Sequence, residues 1–166
     1  FRNHTVKPES MILTPQNAPD WAKDRQRLWN EVDKVEKNNA KTKNPRLAKE
    51  VLLSLPNDFD REVQTELTKD FIKSAFVDKG MVADISIHRD DMNNPHAHVL
   101  LTQRPFNSDG TWGKKTKTRT QYDENGHAIL NKNGNKVRKQ ERFADFDFKE
   151  VRKHWELKLN QYSERE

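Results

Sequence analysis

The chain predicts an α+β fold, an antiparallel sheet with helices packed on one face and a three-histidine site on the other. Three observations carry the prediction. Segments in which apolar and polar side chains alternate every two residues take turns with segments whose apolar residues recur at three- and four-residue steps, so strands and helices succeed one another. The helical segments are long enough to serve as crossovers, and the last two strands of the series are joined by a short polar turn, which makes them an antiparallel hairpin. Half of the six histidines, finally, lie between Ile85 and Leu101 and share one strand face.

The elements follow in order. Phe1 to Gln16, carrying Val6, Met11, Ile12 and Leu13 among polar residues, reads as an extended segment or edge strand; His4 has no partner there at ligand spacing and reads as structural or exposed. Asp20 to about Lys37 predicts a helix with Asp20 as N-cap, because Trp21, Arg25, Leu28, Trp29, Val32 and Val35 recur at helical steps. Its tryptophans read as core, with base stacking as the alternative. Asn38 to Asn44 is a polar loop closed by Pro45, and Arg46 to Leu55 is a strand with Leu47, Val51, Leu53 and Leu55 apolar. Glu50 stands among them, and a carboxylate in an apolar strand is costly without a partner. It either accepts the second ring N–H of a metal-bound histidine or points to solvent at an edge; Glu36 on the preceding helix is the other carboxylate that fits the first role.

Pro56 to Asp60 is a turn. Arg61 to Asp78 is a second amphipathic helix through Val63, Leu67, Phe71, Ile72, Ala75 and Phe76, ended by Gly80. In the strand Met81 to His88, Ala83, Ile85 and Ile87 oppose Asp84, Ser86 and His88; after the turn Arg89 to Pro95, His96 and His98 oppose Ala97, Val99 and Leu101. The hairpin thus brings His88 beside His96 and His98. Three neutral imidazoles leave open positions on a divalent ion, as a catalytic metal site requires. The plain alternative is three unrelated, half-buried histidines.

Beyond Arg104 the composition shifts, and residues 105–145 read as a basic hairpin insertion. Phe106 to Gly110, Asp123 to Gly126 and Asn133 to Asn135 are turns. Lys114, Lys115, Lys117, Arg119, Lys132, Lys136, Arg138, Lys139 and Arg142 run between and beyond them against few acids. Of these, Lys114, Lys115, Lys117, Arg119, Lys136, Arg138 and Lys139, together with Arg104, are candidates for phosphate contacts on DNA, the alternative being an ordinary solvated hairpin. Trp112 and Tyr122 suit stacking on unpaired bases, and His127 reads as surface. Asp147 to about Ser163 is a third helix through Phe148, Val151, Trp155, Leu159 and Tyr162; His154 lies off that stripe and reads as exposed.

Composition bounds the function. A length of 166 residues makes one domain the default, yet only 32% of them are hydrophobic against 34% charged, with a mean hydropathy of -1.16, so the core must be lean. A net charge of +5 and pI near 9.4 favour an acidic partner such as nucleic acid. The lack of cysteine rules out disulfides, thiolate metal sites and cysteine nucleophiles. No apolar run approaches a membrane span and no signal-peptide pattern opens the chain, so membrane insertion and secretion are not expected.

Ile87-His88 followed by Asn94-Pro95-His96-Ala97-His98-Val99-Leu100-Leu101-Thr102-Gln103-Arg104 resembles the histidine motif of the MobA/MobL (MOBQ) conjugative relaxases, a branch of the HUH endonucleases. Pro19-Asp20-Trp21, Asp24-Arg25, Leu28-Trp29-Asn30, Val32, Glu36, Leu47-Ala48-Lys49-Glu50-Val51, Leu55-Pro56 and Gly80-Met81 are similar to the same family in order and approximate spacing. The resemblance spans most of Ile12 to Arg104. It implies a single relaxase domain over residues 1–166 with a ferredoxin-like sheet, lacking the family's N-terminal strand and tyrosine helix. It further implies that His88, His96 and His98 hold a divalent metal ion (Mn, Mg, Ni, Co or Zn), with Glu50 orienting one of them.

The implied reaction is cleavage and rejoining of one DNA strand at a plasmid origin of transfer through a tyrosine, with a 5′-phosphotyrosyl intermediate. Neither Tyr122 nor Tyr162 matches the nucleophile's position, so the expected nucleophile lies upstream. The implied partners are single-stranded or hairpin plasmid DNA, with relaxosome and coupling proteins, in the bacterial cytoplasm. A metal-dependent nuclease using activated water and a non-catalytic DNA-binding module are the competing readings.

Overall fold

Alternation splits the strands Ala83–His88 (β3) and His96–Thr102 (β4) into an apolar and a polar face, and the architecture builds outwards from this pair. In the computed structural model, which describes residues 7–39, 44–91 and 93–165, β1 (Glu9–Leu13) and β2 (Ala48–Ser54) flank them. The sheet order is β1-β3-β4-β2, with every neighbouring pair antiparallel. Helices α1 (Arg25–Asn39) and α2 (Arg61–Ala75) are the crossovers. A separate two-stranded sheet of β5 (Thr116–Thr120) and β6 (Arg138–Arg142) precedes α3 (Phe148–Ser163), whose cap Asp147 accepts the Lys149 N–H at 2.8 Å. The positions His4 and Val6, and loop residues 40–43, lie outside the described residues.

Ala83, Ile85, Ile87, Ala97, Val99 and Leu101 form the apolar face and are buried beneath Phe71, Ile72 and Ala75 of α2 and Phe76 just beyond its end. Val151 and Trp155 of α3 close the same core, and Phe59, Leu67 and Tyr162 extend it between the helices. Each large side chain removed from water here contributes roughly 1.5–3 kcal/mol, which makes this layer the main source of stability in a chain with few apolar residues. His154, expected to be exposed, is half-buried. It sets its ring edge-on to Phe71 at 5.3 Å and places Nε2 3.2 Å from the Ser74 hydroxyl. Burial, followed by the charges of Lys158 and Lys79, holds its pKa below the ordinary histidine value.

The helices do not all share one face. Leu28 and Val32 of α1 cluster with Ala22, Val82 and Phe106, and Ile12 packs against that group, so α1 covers the polar side of the sheet at the end remote from the histidines. The reason is Asp84, which alternation turns to that side and which is nevertheless buried. Its oxygens accept hydrogen bonds from Arg25 Nε at 2.9 and 3.0 Å, Arg25 Nη2 at 2.7 Å and Trp29 Nε1 at 2.8 Å, all from α1. A buried carboxylate needs such partners. The hydrogen bond to Asp84 raises the Arg25 pKa, against the opposing effect of burial. The helix also starts later than expected: Asp20–Lys23 is a 3-10 turn, and Asp24 supplies the cap by accepting the Arg27 N–H at 2.8 Å.

The second buried carboxylate is Glu36. Its Oε1 accepts from Arg104 Nε at 2.7 Å and its Oε2 from Lys115 Nζ at 2.9 Å. This occupies Glu36 away from the histidines. It also commits Arg104 and Lys115, both expected among the candidates for phosphate contacts on DNA, to tying the base of the hairpin to α1. Trp112 is likewise packed rather than free, stacked on Phe106 at 4.3 Å and edge-on to Trp21 at 5.9 Å.

Between β5 and β6 the chain doubles back on itself twice. Gln121 N–H donates to the Val137 carbonyl at 2.9 Å, Ile129 N–H to Gln121 at 2.9 Å, and Val137 N–H to Ile129 at 2.7 Å, which closes a ring of three residues spaced eight apart. The turns between them are equivalent. Asp123 Oδ1 accepts from the N–H groups of Asn125 and His127, Asn131 Oδ1 accepts from those of Asn133 and Asn135, and Gly126 and Gly134 take φ of 80° and 76°.

Because Glu36 is the shared acceptor of two poorly solvated cations, Glu36→Ala leaves both without an opposite charge. We expect a loss of about 3 kcal/mol in urea unfolding. A change under about 0.5 kcal/mol, the ordinary range for an inert surface substitution, would show the pair to be idle.

A histidine triangle on the sheet

His88 ends β3 and His96 opens β4, and the register sets them opposite one another with His98 across from Ser86. The three rings are mutual neighbours. Each pair of ring centroids is 5.2 Å apart; His88 and His96 are nearly parallel, with 7° between their planes, and His98 stands across them at 74° and 69°. His96 Nδ1 lies 2.7 Å from the Asn94 carbonyl oxygen, and His98 Nδ1 lies 2.8 Å from Glu50 Oε1. Both acceptors require the proton on Nδ1, which in a neutral ring leaves the lone pair on Nε2. Among the described residues no group of three or more histidine, aspartate or glutamate side chains is arranged as a metal site.

Strand β2 delivers Glu50. Leu52 is the residue opposite His98, so Glu50, two positions along, is its diagonal neighbour on the same face. Val51 and Leu53 turn the other way, towards the core. Glu50 therefore does not interrupt an apolar row but belongs to the alternate one with Leu52 and Ser54, where its side chain keeps 57% of its exposure.

One side chain at the site is absent from the sequence reading. Arg89, directly after His88, donates through Nε to Gln64 Oε1 at 2.7 Å, through Nη1 to Glu9 Oε2 at 2.9 Å, and through Nη2 to Thr65 Oγ1 at 2.9 Å and the Arg61 carbonyl at 3.2 Å. It clamps the histidine end of β3 to both α2 and β1. A lone arginine in a polar turn carries no periodic signal, and its partners are far away in sequence. Burial raises the Glu9 pKa, but the hydrogen bond and charge of Arg89, with Thr65 and Arg61, outweigh it and hold the carboxyl below its ordinary value.

The remaining candidates lie elsewhere. Lys114, Lys117, Arg119, Lys136, Arg138 and Lys139 are exposed on the hairpin. The register puts Lys117, Arg119 and Lys139 on one of its faces and Arg138 on the other, with Arg119 3.1 Å from Glu141. Tyr122 is exposed on this hairpin. Tyr162 is buried between α2 and α3, where burial, followed by the charge of Asp70, raises its hydroxyl pKa. His127 is exposed, as expected.

Comparison with known proteins places the chain, independently of these side chains, in a family. The MobA/MobL family profile matches residues 1–166, and the chain belongs to that family. It is 29% identical over 161 residues to the conjugal transfer protein TraA of Agrobacterium fabrum, covering 91% of this chain and 14% of the relative. Similarity to the probable mobilization protein MobA of Bifidobacterium longum is 32% over 121 residues, or 70% of this chain and 20% of that one. The chain thus spans a minor part of these relatives. A solved structure described under "Molecular Basis of Vancomycin Resistance Transfer in Staphylococcus aureus" superposes with a TM-score of 0.73 at 33% identity, covering 96% of this chain and 71% of the other.

The depressed Glu9 pKa carries a sign. A carboxyl held below its unfolded value adds stability above that value and loses it as pH falls through the folded one. We expect the unfolding free energy of the wild type to fall between neutral pH and about pH 3 more steeply than that of Glu9→Gln. Parallel profiles would remove Arg89–Glu9 as a support of the site.

Proposed function

We propose that this chain is the metal-binding and DNA-binding part of a conjugative relaxase, which cleaves and rejoins one strand at a plasmid origin of transfer through a tyrosine and a 5′-phosphotyrosyl intermediate. The observation that carries the reading is the histidine triangle with two of its Nδ1 positions already occupied. Centroids 5.2 Å apart place their common centre about 3 Å from each ring centroid, which approaches the sum of a metal–nitrogen bond of about 2.1 Å and the ring's own radius. That spacing supports the reading in which His88, His96 and His98 together would hold one divalent ion. Imidazole donors suit Mn, Ni, Co or Zn better than Mg. When bound, such an ion would neutralise charge growing on the non-bridging oxygens of the scissile phosphate.

The protein groups have separate duties. Glu50 holds the Nδ1 proton of His98 and so leaves the Nε2 lone pair available to a ligand, as the Asn94 carbonyl does for His96. Arg89 keeps the end of β3, and with it His88, in place. The exposed cations Lys114, Lys117, Arg119, Lys136, Arg138 and Lys139 supply phosphate contacts, and Tyr122 a stacking surface. The burial of Tyr162 and the hairpin position of Tyr122 support a nucleophile from outside this sequence. Glu9 pairs with Ile87, so β1 begins at the histidine end, where such a hydroxyl is needed. The sheet is read as the ferredoxin-like sheet of HUH enzymes. Relaxosome and coupling proteins in the bacterial cytoplasm are the further partners of this reading; among the described residues no helix is long and apolar enough to cross a membrane.

Titration calorimetry with Mn2+ and Zn2+ tests the site. One ion per chain is expected, lost in His96→Ala/His98→Ala and bound about 10- to 100-fold more weakly by Glu50→Ala. Equal binding by all three chains sinks the metal reading. With a labelled single strand spanning the nick site, a denaturation-resistant protein–DNA adduct formed by the tyrosine-bearing protein supports the relaxase. Free ends at every turnover assign instead a nuclease using activated water, and metal-independent binding without cleavage a simple DNA-binding module.

A further inference from the structure

Away from the histidines, a cleft of about 570 Å³ opens where the end of α1, the entry to β2 and the base of the β5–β6 hairpin meet. Four cations line it, Arg46, Arg104, Lys115 and Arg142, with Glu36 as the single carboxylate. The internal chemistry of the cleft is already settled for two of them, because Glu36 accepts from Arg104 at both oxygens and from Lys115 at Oε2. Among the described residues the guanidinium groups of Arg46 and Arg142 have neither an ion-pair nor a hydrogen-bond partner, and both side chains belong to exposed residues. Asp145, which lines the adjoining cleft with them, lies 3.8 Å from Lys49.

The support beneath Arg46 is rigid. Its carbonyl accepts from Lys115 Nζ at 3.0 Å and from Gln103 Nε2 at 3.1 Å, and Gln103 also donates to the Ala48 carbonyl at 3.1 Å. The backbone that carries one free guanidinium is thus pinned by the hairpin base and by the end of β4, which lowers the entropy cost of using it. Two unpaired guanidinium groups over a net positive cleft match phosphate oxygens, which they grip by paired N–H donors. Position narrows the ligand. Glu36 and Arg104 lie on the α1 side of the sheet, the side that bears the histidines, and the chain runs through β2 from Arg46 in this cleft to Leu52, opposite His98. At about 3.3 Å per residue that separation is roughly 20 Å, which along one strand of duplex DNA at about 3.4 Å per step is about six base pairs.

We propose that Arg46 and Arg142 form a second phosphate-binding site, which grips the backbone of the DNA flanking the cleavage site about six base pairs from the histidine triangle. The inference rests on the relaxase reading for the identity of its ligand and adds to it a fixed point at the base of the hairpin, apart from the cations along its length. It gives Arg104 and Lys115 the task of holding the cleft in shape and leaves phosphate contact to the two free arginines.

The test uses the whole chain and two fluorescein-labelled probes, a DNA hairpin with a single-stranded tail and the tail alone, with affinity measured across a salt series. Arg46→Ala/Arg142→Ala should weaken hairpin binding about tenfold or more at low salt and flatten the plot of log affinity against log salt by about two units, the amount for two lost phosphate contacts. The tail alone should show less than half that loss. Arg46→Lys/Arg142→Lys should keep the slope while losing part of the affinity, because charge remains without the paired donors. An unchanged slope in the alanine chain, an equal loss on both probes, or a wild type with no salt-dependent affinity for the hairpin overturns the proposal. The two readings fail separately: absence of metal at the histidines with the slope change intact removes the catalytic reading alone, and metal binding with an unchanged slope removes the cleft alone.

Discussion

The pairing of β3 with β4 governs everything else in the molecule. Their six paired positions bury Ala83, Ile85, Ile87, Ala97, Val99 and Leu101 against α2 and in the same act turn Asp84, Ser86, His88, His96 and His98 to the other side. A slip of one residue would reverse both sets, putting imidazoles in the core and isoleucines on the surface. Stability and site geometry therefore share one register, and the strong apolar contrast between the two rows is what keeps it. The histidines need no separate device to bring them together beyond the turn that Arg89 clamps.

Two buried carboxylates do the corresponding work on the polar side. Asp84 draws α1 onto the sheet through Arg25 and Trp29, and Glu36, further along the same helix, draws in the hairpin through Arg104 and Lys115. Neither pair is a net source of much stability compared with an apolar contact of the same size, because desolvation offsets most of the attraction. Their effect is on arrangement. Each carboxylate accepts donors from one direction only, and so decides which face α1 covers and where the basic hairpin leaves the body of the protein.

Much of this was legible from residue order. Period-two alternation identifies both faces of β3 and β4, helical steps identify α2 and α3, and the turn between His88 and His96 implies the hairpin. The face chosen by α1 was not legible, since an apolar stripe tells that a helix packs without telling on which side of a sheet. Nor was the fate of Arg104 and Lys115, because a cation that meets Glu36 and one that meets water look alike in a charge count. Glu50 shows the converse. Its neighbours Val51 and Leu53 made it look misplaced, when strand parity already separated it from them and paired it with Leu52. The eight-residue repeat from Tyr122 to Val137 was visible as two turns, but the bonds joining Gln121, Ile129 and Val137 depend on a three-way meeting that pairwise patterns do not encode.

That closed ring bears on solubility. Tyr122, Ile129 and Leu130 stand exposed near the end of a β-rich protrusion, a composition that would ordinarily invite another chain to add a strand. Here the central amide of each short segment beyond β5 and β6 is already committed to a sibling segment, so that part of the protrusion offers fewer free donors to an incoming strand. Greasy side chains can then remain at the extremity of a charged arm, available to a ligand, without making the arm adhesive to its own kind.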